Sequence, residues 1–235
     1  ICKYIFFNWR NVFINESKMK IIKEYILLPI CYLIKNIILC FQGVSVYPGA
    51  RIRHVTFEEN IKVYNNTLLY NSNIGRHTYI QRNCTILNTS IGRYCSIAES
   101  VKMGLGKHPV SEYISTHPFC YGKNSIHWLS KSCPPPDSHT FEETKRIMIG
   151  HDVCLGANTV ILDGVTVGNG AIIGAGSVVT KNIPPYAVAA GVPCKVLYYR
   201  FNDDTRNKLE KMKWWEKDYE ELELILSEFK YPDSE

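Results

Sequence analysis

Ile149, Leu155, Ile161, Val167, Ile173 and Val179 fall six residues apart without a slip. A helix with 3.6 residues per turn cannot keep such positions on one face, so this segment is not helical. Plain strand alternation could. However, Gly150, Gly156, Gly168 and Gly174 follow in phase, and Ala157, Ala171, Ala175 and Ser177 add small residues between them. Each hexapeptide therefore reads as a short strand plus a bend. Three such units close a triangular coil of about 18 residues, and stacked coils place each aliphatic side chain inside the prism, over its equivalent in the next coil. The expected fold is an all-β solenoid, a parallel β-helix. An ordinary β-sandwich is the alternative, and the regularity of the spacing argues against it.

A less regular run precedes this one. Leu68, Ile74, Ile80 and Ile86 keep the spacing, one residue slips, and Ile91, Ile97 and Met103 resume it, with Val46 and Ile52 as the expected start of the stack. Residues 104–148 lack the repeat and hold four of the seven histidines, His108, His117, His127 and His139. An excursion of that length is usually functional or disordered, and Tyr113, Phe119, Tyr121, Trp128 and Phe141 argue against disorder. Prolines 184, 185 and 193 close the stack with rigid turns. Asn202, Asp203 and Asp204 then offer N-caps, and Leu209, Met212, Trp215, Tyr219, Leu222 and Ile225 recur every three or four residues, which predicts a C-terminal amphipathic α-helix. The expected organisation is an apolar, helical N-terminal segment over 1–45, a solenoid domain over 46–200 with an extruded loop over 104–148, and a C-terminal helix over 201–235.

Composition removes several classes of function. With 46% apolar residues among 235, a disordered or fibrous chain is excluded. Twenty-seven Lys and Arg against 22 Asp and Glu leave a net charge of +5 with no long basic run, so nucleic acid is not an expected partner. Nine cysteines occur without a CxxC or CxC spacing, which argues against a zinc finger or redox dithiol and for buried free thiols in a reducing, cytoplasmic setting. The apolar stretch from Tyr25 to Phe41 is interrupted by Pro29, Lys35 and Asn36 and falls short of a bilayer span. Glu16 and Glu24 precede it and no small-residue cleavage site follows, so a signal peptide is not expected either. A helix packed on the domain is expected there, with peripheral membrane contact as the alternative.

Three pieces, in order along the chain, resemble the left-handed β-helix, hexapeptide-repeat acyltransferases: Ile97-Ala-Glu-Ser-Val101 followed by Gly106-Lys-His-Pro109, Ile173-Gly-Ala-Gly-Ser-Val-Val-Thr-Lys181, and Ala190-Gly-Val-Pro-Cys-Lys195. Ser115-Thr-His-Pro-Phe119, Arg200-Phe201 and Lys213-Trp-Trp215 are similar to the xenobiotic acetyltransferase branch and its polysaccharide O-acetyltransferase relatives. The coil handedness comes from this resemblance. So does the activity it implies, transfer of acetyl from acetyl-CoA to a hydroxyl, with no metal expected.

The resemblance implies that His108 is the general base, a task suited to a group titrating near neutrality. It implies that the Ala157 backbone N–H stabilises the oxyanion. The small residues Gly156, Ala157, Gly174 and Ala175 would let the pantetheine arm lie along the coils, although tight turn packing alone would also explain them. Thr180, Lys181 and Lys195 match positions that face the nucleotide end of CoA. His117 reads as acceptor-side lining or loop packing, and His54, His77, His127, His139 and His151 as structural or solvated. Cys154 stands where many relatives carry Trp, so an aromatic wall beside the acceptor is missing, and a nucleophilic Cys154 is a minor alternative. The resemblance further implies a homotrimer with shared clefts. The expected acceptor is a sugar hydroxyl of a surface polysaccharide or its precursor, with an antibiotic (streptogramin or chloramphenicol type) second. A zinc-dependent, carbonic-anhydrase-like solenoid using His77, His108 and His117, and a scaffold without catalysis, complete the alternatives.

Overall fold

The computed structural model describes residues 39–118 and 141–228. The expectations for the apolar segment before residue 39, and for Phe119, Tyr121, Trp128, His127 and His139, lie outside the described residues. The chain winds into a left-handed parallel β-helix of about seven coils with three faces. Face 1 stacks Ser45–Val46, Lys62–Val63, Tyr79–Ile80, Ser96–Ile97, Cys154–Leu155, Ile172–Ile173 and Ala187–Ala190. The ladder of face 2 starts with the first half of Arg51–Phe57, which pairs along its length with the long strand Leu68–Ile74. It continues by way of the first half of Leu68–Ile74 through Thr85–Leu87, Lys102–Met103, Val160–Ile161 and Val178–Val179. The second half of Leu68–Ile74 turns the corner into face 3, where Thr89–Ile91, Ile147–Ile149 and Thr166–Val167 follow.

Inside the prism every other strand residue points inward, and Val63, Ile80, Ile97, Leu155 and Ile173 form one buried column behind face 1. Burying each such side chain contributes roughly 1.5–3 kcal/mol, and the stack is one continuous core.

Coil length differs between the two halves. Lys62 pairs with Tyr79 and Tyr79 with Ser96, seventeen residues apart, whereas Cys154 pairs with Ile172 and Val160 with Val178, eighteen apart. The expected coil of about 18 residues thus holds only after the loop. The difference sits at the corner between faces 2 and 3. In the short coils a single Asn in the left-handed region turns it (Asn71, φ 48°; Asn88, φ 48°), and in the later coil the pair Asp163 and Gly164 (φ 80°) does. The short corner also corrects the register. Leu69, not Leu68, is the inward residue, because Leu69 pairs with Ile86 and is fully buried.

A column of small polar side chains closes the inner edges of the corners. Thr67 Oγ1 donates to the Gln81 carbonyl and accepts from the Cys84 amide, and Thr78 Oγ1 repeats this with Gly92 and Cys95. Cys84 and Cys95 continue the column, with Sγ 3.2 Å from the Ala98 carbonyl and 3.1 Å from the Gly150 carbonyl. Burial pushes the Cys84 thiol up to about 11 and the Cys95 thiol up to about 12. Both should therefore resist alkylation by iodoacetamide in the native protein and react after denaturation, as read by peptide mass mapping. Ready labelling of either in the native state would contradict this packing.

At the far end, Lys195–Tyr199 pairs antiparallel to Ala187–Ala190 and caps the stack. The expected C-terminal helix is divided in two. Helix α1 (Asp203–Met212) is capped by the Asn202 side chain accepting from the Thr205 amide and stops at Lys213, which adopts the left-handed conformation (φ 47°). A short 3-10 turn, Trp214–Glu216, leads into α2 (Tyr219–Glu228). Among the described residues no helix is long and apolar enough to cross a membrane.

Candidate active site

The extruded loop leaves the stack at the corner between faces 2 and 3, where Gly104 (φ 72°) takes the place that Tyr70 and Leu87 hold in the preceding coils, one residue before the corner Asn. A side chain at this position would meet the Leu87 carbonyl at 2.1 Å, so only glycine lets the chain leave here. Four residues on, His108 is exposed, next to buried Pro109. Its Nδ1 lies 3.0 Å from the Thr116 carbonyl. A carbonyl only accepts, so Nδ1 carries the proton and Nε2 carries the lone pair, the tautomer that a general base needs. Ser115 Oγ accepts from the His117 amide at 3.1 Å, holding this hairpin from the other side. His117 therefore flanks the carbonyl that orients His108.

Two acceptors that the sequence reading passed over hold the loop's feet. Gly106 N–H donates to Asp163 Oδ2 at 2.9 Å and Lys145 N–H to Oδ1 at 3.3 Å. Lys107 N–H donates to the Glu143 carbonyl and Gly164 N–H to the Lys145 carbonyl. The signal for Asp163 was the change from a seventeen- to an eighteen-residue coil, since the added corner residue is in that turn.

Thr180 and Lys181 occupy the same corner column one coil beyond Asp163, both exposed. Gly156, Ala157, Gly174 and Ala175 line the opposite edge of face 2. A Cβ on Gly156 would sit 2.5 Å from the Ala175 amide nitrogen, and one on Gly174 2.9 Å from the Ala190 Cβ, so close stacking of the coils alone requires these glycines. The Ala157 carbonyl accepts from Gly176, while its N–H donates to none of the described residues. The turn before Lys195 folds over the end of face 2 through a bond from the Cys194 amide to the Val178 carbonyl, and Lys195 is exposed beside it. Face 2 is thus bounded on one side by the His108 loop with Thr180 and Lys181, and on the other by the small-residue turns.

Cys154 lies on the outer surface of neighbouring face 1, between Ser96 and Ile172. Burial, followed by the Asp152 carboxylate, raises its thiol pKa, with Arg200 opposing. A raised pKa disfavours the thiolate, so the chemistry does not suit a nucleophile. Cys154→Ala should keep turnover within about threefold of wild type, and a loss beyond tenfold in steady-state rate would restore the acyl-enzyme route.

The remaining histidines among the described residues serve structure. His151 Nδ1 accepts the Arg93 amide and its ring stacks on Trp215, His77 stacks on Tyr94, and His54 meets Tyr70 edge-on. Of the histidines in the zinc alternative, His77 is on a corner of the coil while His108 and His117 are on the extruded loop, and among the described residues no group of three or more His, Cys, Asp or Glu could hold a metal. Arg200 and the Trp214–Trp215 pair, part of the motif that carried the resemblance, anchor the C-terminal segment to the stack. Arg200 donates to Asp152 at 3.0 Å and to the Gly170 carbonyl at 2.8 Å.

A coil of hexapeptides with a histidine-bearing loop at one corner defines a protein of the hexapeptide-transferase class. Residues 146–181 match the family described as bacterial transferase hexapeptide (six repeats). The chain is 37% identical over 144 residues to a probable macrolide acetyltransferase of Lysinibacillus sphaericus, covering 59% of this chain and 77% of that protein. It is 36% identical over 135 residues to a chloramphenicol acetyltransferase of Agrobacterium fabrum, covering 53% and 58% of the two chains. With the galactoside O-acetyltransferase of Escherichia coli it shares 38% over 130 residues, covering 54% and 53%. The match therefore spans little more than half the length of the last two relatives. The chain belongs to the hexapeptide-repeat acetyltransferases, in the group that contains xenobiotic and sugar O-acetyltransferases.

Proposed function

We propose that this chain transfers an acetyl group from acetyl-CoA to a sugar hydroxyl of a surface polysaccharide or its precursor, with His108 as general base. The observation that supports the reading is the His108–Thr116 contact, which puts the proton on Nδ1 and the basic lone pair on Nε2. Nε2 takes the acceptor's proton as its oxygen attacks the thioester carbonyl, and returns it to the departing thiolate. The Ala157 N–H is the donor for the oxyanion in this scheme. Exposed Thr180, Lys181 and Lys195 fit a phosphate-bearing nucleotide, with the lysines acting as point charges. Gly156, Ala157, Gly174 and Ala175 leave room for the pantetheine arm.

The outer column of face 1 carries Tyr79, Ser96 and Cys154 side by side, a mixed surface whose polar members suit a sugar acceptor. The galactoside O-acetyltransferase relative is consistent with this. The antibiotic reading is second, supported by the macrolide and chloramphenicol relatives. In this proposal His117 lines the acceptor side, the working unit is a trimer whose sites draw on neighbouring copies, and the protein acts in the cytoplasm, where Cys84 and Cys95 stay reduced. Peripheral membrane contact through the N-terminal segment is a further element of it.

The test is thiol release from acetyl-CoA with nucleotide sugars, neutral and sialylated oligosaccharides, chloramphenicol and a streptogramin. A sugar-dependent signal supports the proposal, and a signal with the antibiotics alone replaces it by the second reading. No signal and no CoA binding would remove the transferase reading altogether.

A further inference from the structure

We infer that Asp163 is the positioning residue for His108, acting through the backbone of the loop's two feet; the inference rests on the reading of His108 as base. One carboxylate binds both strands of the loop base, with Oδ2 on the outgoing Gly106 amide and Oδ1 on the returning Lys145 amide. Gly106 is two residues from His108, and the residue between them, Lys107, is tied to the Glu143 carbonyl at 2.8 Å. These three bonds cross-link the loop at its root, immediately before the catalytic histidine. Below the loop, single residues (Asn71, Asn88) turn the corner and offer no carboxylate. The coil above the loop is one residue longer at this corner, and that longer turn, Asp163 with Gly164, brings a charged acceptor to the point where the loop needs one. Hydrogen bonds to a charged acceptor are about twice as strong as neutral ones, which suits a group that must hold two exposed backbone segments. The His108–Thr116 bond lies within the loop and orients the ring relative to the loop; Asp163 fixes the loop relative to the coil.

Misplacement of a catalytic group by about 1 Å can cost up to 100-fold in rate. For Asp163→Ala the expected result is a fall in kcat of roughly 10- to 50-fold, with the affinity for acetyl-CoA within about twofold of wild type. Asp163→Asn keeps one acceptor oxygen and should fall between the two, and it serves if the alanine variant does not fold. Hydrogen exchange should quicken at the amides of Gly106, Lys107 and Lys145 and stay unchanged at Ile149. Two partners that act as a unit are not additive, so Asp163→Ala should cost almost nothing further in a His108→Ala background. A structural lesion would multiply instead. Multiplied losses, or faster exchange with kcat unchanged, would overturn the positioning role, and unchanged exchange would overturn the clamp itself. If His108→Ala retains full activity, the base assignment fails, while the exchange data still report on the clamp.

Discussion

Replacing His108 by alanine lowers turnover by about 100-fold or more while leaving acetyl-CoA affinity within about twofold, because removing a positioned general base typically costs 100- to 10,000-fold. The asymmetry between the two readouts follows from the site's geometry. The exposed Lys181 and Lys195 and the turns at Gly156 and Gly174 belong to the coils, whereas His108 belongs to the loop, so under the proposed mechanism its loss removes the proton acceptor without altering the surface proposed for CoA. His108→Asn tests the same point differently. The Asn amide nitrogen stands where Nδ1 did, can still donate to the Thr116 carbonyl and keep the loop, yet cannot take a proton, so it should be as inactive as alanine. Steady-state kinetics paired with calorimetric CoA titration separates the effects. Equal activity in either variant would move the base to His117, whose amide is bound by Ser115 beside the same carbonyl. A parallel loss of CoA binding would make His108 a binding residue.

Much of this arrangement was legible in the residues, for physical reasons that also mark where legibility ends. From Ile149 to Val179 the inward residue of every strand is aliphatic and every corner has the same length, so period and fold could be read together. Before the loop, two leucines stand side by side, and only the pairing of Leu69 with Ile86 decides which one enters the core. That choice depends on a corner one residue shorter, turned by Asn71 in a conformation that composition does not announce. The C-terminal periodicity runs unbroken through Trp215, so the stop at Lys213 was hidden. That residue's left-handed backbone lets its N–H cap α1 on the Leu209 carbonyl, and the chain then turns. At the site, His108 was visible through the residues around it. Its partners were not, since the Thr116 carbonyl and the Gly106 and Lys145 amides belong to the backbone, and backbone groups of any residue type look alike in a sequence.

The largest stability effect is expected at Trp215. Its ring is 2% exposed and lies parallel to His151, 4.9 Å between centroids and 6° between planes. Its carbonyl accepts from Arg76 at 3.1 Å and from Arg93 at 3.4 Å, and Arg76 also donates to the Lys217 carbonyl. Arg93 is held in turn by two bonds to Glu58, at 2.8 and 3.0 Å, and this pairing keeps the Glu58 carboxyl below its usual range. Trp215 is thus the apolar plug around which the guanidinium contacts close the C-terminal helices onto the corner between faces 3 and 1. Trp215→Ala should cost about 3–5 kcal/mol, and a chain of this size should lose at least about 6 °C in Tm. Trypsin should then cut faster at Lys208, Lys211 and Lys213. Burial holds the His151 pKa below its ordinary 6.5, so its unfolded form binds the proton more readily. The associated stability is present above about pH 6.5 and is lost as pH falls toward the folded-state value. Removing the indole exposes the imidazole and erases that share, so the difference in Tm between wild type and variant should narrow as pH is lowered from 7.5 to 5.5. His77, lowered by burial and by Arg76, packs against Tyr219 of α2 and loses part of that burial when the helices loosen, which narrows the difference in the same direction. The His108 loop leaves a different corner, between faces 2 and 3, so kcat at 25 °C should stay within about threefold. An unchanged Tm with unchanged cleavage would show that the guanidinium contacts alone hold the C-terminal helices in place.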